Sequence, residues 1–146
     1  MTYQLDGLSG MRRRRVETAE RHLRLCMEVD GRRILTTGDQ AVLDLERQFA
    51  PHDAFARTMH AEDLLTVLSV YVREPWLLPD RVDRGVQLRF ADALAGLLLG
   101  RGLVDRTDWM CALLDLRVAI DQAKGDLKRE RAAASAGGAG GRHSAV

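Results

Sequence analysis

The chain has 146 residues, 46% hydrophobic and 29% charged, and its 22 basic and 21 acidic residues leave a formal net charge of +1. That length fits one domain able to bury a core without metals or disulfides. Near-neutrality excludes a protein that coats nucleic acid with its whole surface, and the longest apolar-or-glycine run, Ala93 to Gly100, is far short of the ~20 residues a membrane span needs.

The charge is uneven along the chain. Residues 1–37 hold eight arginines against five acids, residues 38–106 hold eight against eleven, and the rest nets +1. The two cysteines, Cys26 and Cys111, form no C-x-x-C pair and lie in apolar helical patterns, as buried thiols of a reducing compartment do. The start, Met-Thr-Tyr-Gln-Leu-Asp-Gly, lacks the charged and apolar regions of a signal peptide. A cytoplasmic protein without membrane contact is expected.

Residues 1–10, with Gly7, Ser9 and Gly10, read as a flexible leader. Val16, Ala19, Leu23, Cys26 and Met27 then repeat at helical spacing and predict a helix over about 10–29. A rival reading exists for its end. Leu23, Leu25, Met27 and Val29 alternate, and Asp30-Gly31 is a hairpin turn pair, so a short β-hairpin near residues 25–36 competes with the helix. The helix is preferred.

Thr37-Gly38-Asp39-Gln40 reads as a capping box. It opens a helix with a stripe of Val42, Leu45 and Phe49, ended by Pro51. A third helix, over 53–73 with a break near His60, ends in Leu64, Leu65, Val67, Leu68, Val70, Tyr71 and Val72. An apolar surface all round marks a central, buried helix. The loop Glu74-Pro75-Trp76-Leu77-Leu78-Pro79 follows, and Asp80 caps a fourth helix with a stripe of Val82, Val86, Phe90, Leu94, Leu97 and Leu98. Gly100 and Gly102 stop it, and Gly96-x-x-x-Gly100 suits close helix packing. Thr107 caps a fifth helix whose Trp109, Leu113, Leu116, Ile120, Ala123 and Leu127 form a heptad seam.

The expected fold is all-α: a compact bundle of about five helices spanning 11–133 as one domain. The Ala/Gly/Ser-rich residues 134–146 read as a disordered tail.

Few residues invite chemistry. Arg12, Arg13, Arg14 and Arg15 could clasp phosphates with salt-sensitive affinity, and at a helix N-terminus they oppose the macrodipole, which an anionic partner would relieve. His22 and Cys26 stand at i,i+4, with His52, His60 and Asp63 as distant candidates for further metal ligands. No second ligand pair accompanies them, so no metal is expected. No G-x-S-x-G, Walker loop or G-x-G-x-x-G occurs, so neither catalytic residues nor cofactors are expected. A helix-turn-helix is disfavoured, because the third helix is too apolar to read bases and the fifth begins Trp109, Met110, Cys111.

Trp76, Leu77 and Leu78 either plug the core or anchor a partner. Leu127, beyond Gly125 on a long helix, is a candidate dimer contact. The residues point first to a small non-enzymatic adaptor or regulator that binds another protein and can form a homodimer. The alternatives are a nucleic-acid-binding regulator using the arginine cluster and an accessory subunit of an enzyme.

Overall fold

A computed structural model describes residues 3–139. Six α-helices and one 3-10 turn account for most of them, and no strand occurs among the described residues. The helices are α1 (Tyr3–Asp30), α2 (Thr37–Phe49), α3 (Ala54–Thr58), α4 (Ala61–Tyr71), α5 (Arg81–Gly100) and α6 (Met110–Ala139); the 3-10 turn spans Gly31–Ile34.

The hairpin does not form. Leu23, Cys26 and Met27 are all buried while Leu25 and Val29 are exposed. Alternation would put Cys26 and Met27 on opposite faces, whereas helical spacing puts them on one. Asp30-Gly31 therefore leads out of α1 into the 3-10 turn. Gly31 is there for space: a Cβ on it would lie 2.5 Å from Cε2 of the Phe55 ring. Helix α1 starts at Tyr3, inside the segment expected as a leader, and α6 runs to Ala139, past the expected tail boundary at 134. The remainder of that tail, 140–146, lies outside the described residues.

Three caps fix the helix starts, two of them shifted from expectation. Thr36, not Thr37, caps α2, its hydroxyl accepting from Asp39 N at 3.3 Å. Gln40 instead donates its amide to Arg32 O and Leu35 O, tying α2 to the 3-10 turn. Asp80 caps α5 as expected, its Oδ1 accepting from Val82 N and Asp83 N, both at 2.9 Å. Asp105 rather than Thr107 holds the turn that leads into α6, its Oδ1 accepting from Thr107 N and Asp108 N. In both aspartates a single carboxylate oxygen accepts from two successive amides. Helix α5 ends in a Schellman arrangement. Leu103 N donates to Leu98 O, Gly102 N donates to Leu99 O, and Gly102 takes a φ of 65°, which glycine adopts without steric penalty.

The core forms around α4. Leu65, Val67, Leu68, Tyr71 and the following Val72 are buried, together with Phe55, Leu43, Leu88, Leu116 and Ile120. Each large aliphatic side chain so placed contributes roughly 1.5–3 kcal/mol. The third expected helix breaks at Met59–His60 into α3 and α4, where His60 N donates to Asp63 Oδ2. Helices α1 and α5 run parallel: Arg15, midway along α1, meets Asp83 in the first turn of α5, and Met27 and Leu94 line one cleft farther along both. Helix α6 returns antiparallel along α5, pairing Glu130 with Arg84 and Arg117 with Asp92. Its heptad seam is intramolecular, with Leu116, Ile120, Ala123 and Leu127 buried.

Helix α5 is apolar on two faces, and the stripe expected from the sequence, although Phe90 and Leu94 pack against the core and Leu98 is buried, is mostly the less buried of the two. Leu88, Ala91, Ala95 and Leu98 are buried, whereas Val82 and Leu97 are exposed and Val86, Phe90 and Leu94 half-buried. The alanines let α5 lie close to its neighbours. Gly96 and Gly100 do not serve that purpose, since a Cβ on either would meet open space.

Candidate functional site

The Trp76 loop is a plug rather than an anchor. Trp76 is 8% exposed, and its indole N–H donates to Asp30 Oδ2 at 2.5 Å. Its carbonyl accepts from His22 Nε2 at 2.6 Å and from Gln87 Nε2 at 2.9 Å. Gln87 is fully buried; it also donates to Tyr71 O and accepts from Leu78 N. The Tyr71 hydroxyl donates to Ala19 O at 2.7 Å, and burial pushes its pKa far above the ordinary value. Every polar group in this layer is matched, as a low-dielectric interior demands. Leu77 and Leu78 are half-buried. Leu127 is buried and faces Gly85 of α5. The partner surface expected at Trp76, Leu77, Leu78 and Leu127 is therefore largely folded inward, because α1, α5 and α6 compete successfully for the same apolar atoms.

The arginine cluster disperses. Consecutive helical residues point about 100° apart, so four in a row cannot share a face. Arg13 bonds Glu17 and Arg15 bonds Asp83 at 2.7 Å, with Asp80 at 3.5 Å. Arg14 points to solvent, and Arg12 lines a cleft beside Arg89 of α5. Since α1 begins at Tyr3, the four lie more than two turns beyond its positive end, and the expected conflict with the dipole disappears. Two of the four charges are spoken for within the fold.

The metal candidates are also accounted for. The Nε2 of His22 is held by Trp76 O, and burial first, then Asp30, pushes the Cys26 thiol up to about 12. A protonated thiol is a poor ligand and nucleophile. Asp39, His60 and Asp63 bring ligand atoms within 4.8 Å of one another. Asp39 and Asp63, however, lie in the first turns of α2 and α4, where the positive ends of those helices balance both carboxylates.

Unpartnered apolar surface remains in three places. On α2, Val42, Leu45 and Phe49 are 50%, 56% and 82% exposed, and only Leu43 is buried. The stripe read from the sequence faces solvent. Helix α2 is fixed instead through polar contacts: Arg32 with Asp44, Arg47 with Glu28, and Arg57 with Glu46. A second surface is the groove between α1 and α5. A third is the outer face of α6, where Met110, Leu114 and Val118 are exposed. Sequence periodicity found the α2 stripe but not its direction, found Val86, Phe90 and Leu94 of the groove but not their meeting with α1, and missed the outer face of α6. The signal available for that face was a second apolar arc on a helix already given one, at 110, 114 and 118 on α6.

No helix among the described residues is long and apolar enough to cross a membrane. No family model, no curated protein and no solved structure matches the chain.

Proposed function

We propose that this chain is a small, cytoplasmic, non-enzymatic helical adaptor or regulator that binds another protein through the outer face of α2. The observation that supports this is the Val42, Leu45, Phe49 stripe: apolar, spaced i, i+3, i+7, and open to solvent. Helix-in-groove recognition uses anchors at this spacing, and contiguous exposed apolar surface marks interaction sites. Ion pairs along α2 hold the stripe in a fixed orientation, which lowers the ordering cost of docking. A non-enzymatic role is supported by the buried polar groups, which are engaged with backbone atoms around the Trp76 loop. An accessory subunit of an enzyme is the same reading with an enzyme as the partner. The nucleic-acid alternative draws no support from a cluster with Arg13 and Arg15 already paired.

The test is photo-crosslinking in the native host from position 49 or 45, with exposed position 48 as the neighbouring control. A discrete protein adduct from 49 and 45, lost when the other stripe residue is changed to aspartate, is the expected result. Absence of any adduct, or equal adducts from 48, overturns the reading.

A further inference from the structure

The groove between α1 and α5 is a second surface, independent of the α2 stripe. Arg12, Val16, Glu20, Leu23, Arg24 and Met27 form its α1 wall. From Arg12 to Met27 it runs about 22 Å at 1.5 Å per residue. Phe90 of α5 lines both of its sections, which hold about 570 and about 380 Å³, the second being walled also by Ala56 of α3, by Met59 and by Leu64 of α4. Val16, Val86, Phe90 and Ala93 make an apolar floor at the first section, and Arg12 and Arg89 stand over it. Among the described residues neither guanidinium has a carboxylate within ion-pair distance. At the other section the charges are already matched, Arg24 contacting Glu20 and Asp53. The open arginines are therefore confined to one end.

An elongated apolar groove with cations at one end fits an amphipathic helix with an acidic flank. This chain presents one. Met110, Leu114 and Val118 recur at i, i+4 and i+8 on the outer face of α6, Val118 being 62% exposed. Asp108 and Asp115 are exposed beside them and have no cation within ion-pair distance among the described residues. The inner seam of α6 is committed to α4 and α5, so this outer face cannot reach the groove of its own molecule.

We propose that the α1–α5 groove receives the outer stripe of α6 from a second copy of this chain, with Arg12 and Arg89 opposite Asp108 and Asp115. The contact joins unlike patches, so it closes as a two-fold pair making it twice or continues as an open chain.

Sedimentation of the full chain from micromolar to millimolar concentration tests this. The weight-average mass should rise above the 16.3 kDa of the monomer, less so at high salt. Val118→Glu and Phe90→Glu should each abolish the rise. Val118 is exposed, so its variant keeps the helical circular dichroism even if the half-buried Phe90 variant does not fold. Arg89→Glu should weaken association roughly twofold to fivefold, and mixing it with Asp115→Arg should restore it. A chain that stays monomeric throughout overturns the proposal and leaves the α2 reading untouched. Association that survives Val118→Glu but is lost in Phe49→Asp overturns it too, and assigns the α2 stripe to self-contact.

Discussion

Helices α2 and α4 are of similar length and use apolar residues in opposite ways. In α4, Leu65, Val67, Leu68 and Tyr71 are all buried, and α1, α5 and α6 close around them. In α2 only Leu43 is buried, and polar contacts do most of the holding. One helix is fixed by what it removes from water, the other by charges and caps at the surface. Burial resists salt and mild acid, whereas exposed ion pairs are screened by salt and lost when acid protonates the carboxylate. The molecule thus joins a stable centre to a surface helix whose attachment is weaker and whose apolar face is available.

Truncation gives the sharpest contrast. Leu68→Ala should lose about 2–5 kcal/mol in urea unfolding, while Leu45→Ala should change stability by less than about 0.5 kcal/mol. Comparable losses would break the comparison. The polar layer behind α4 comes next. Gln87→Leu leaves Tyr71 O and Leu78 N without this partner and Trp76 O with His22 alone, and should cost about 1–3 kcal/mol or more. Faster hydrogen exchange at Leu78 and a red-shifted tryptophan emission would accompany the loss; unchanged exchange would show that the layer does not hold the loop.

The thiols extend the contrast to α1 and α6. Cys111 is exposed and Cys26 buried with its pKa pushed up to about 12. One equivalent of thiol should react promptly with a disulfide reagent at pH 8, and the second only with unfolding; two prompt equivalents would mean that the α1–α4 interface opens readily. The smallest effect is acid loosening of α2. A hydrogen bond from Arg32 holds the Asp44 carboxyl below its ordinary value of 3.8. A depressed folded pKa contributes stability above the ordinary value, and that contribution is lost as pH falls through the folded one. Protection of the α2 amides, taken relative to free amides at the same pH, should therefore fall below about pH 4, before that of α4 does.

The centre of this fold is legible in the sequence and its surface much less so. A run apolar on every side has only one place to go, so Leu64 to Val72 announced α4, and the 4-3-4-3-4 spacing from Trp109 to Leu127 announced the inner face of α6. Asp80 could be read as a cap because its partners are two and three residues away. A stripe such as Val42, Leu45, Phe49 shows that a helix is two-faced without saying what covers the apolar side. The groove is harder still, because it consists of residues about seventy positions apart, Val16 against Val86 and Phe90. The dispersal of Arg12 to Arg15 was within reach from helical geometry alone. Which of them would find carboxylates depended on Asp80 and Asp83 arriving from α5.

Gly31 has a consequence for what this chain tolerates. The Phe55 ring lies where its side chain would be, so even a methyl group displaces the ring. In a library of all single substitutions, position 31 should tolerate as little as Leu68, although it contributes no side chain to any contact. What the fold requires there is the absence of a side chain, because the Phe55 ring fills that volume, and a chain that keeps the ring in place has room only for glycine at 31.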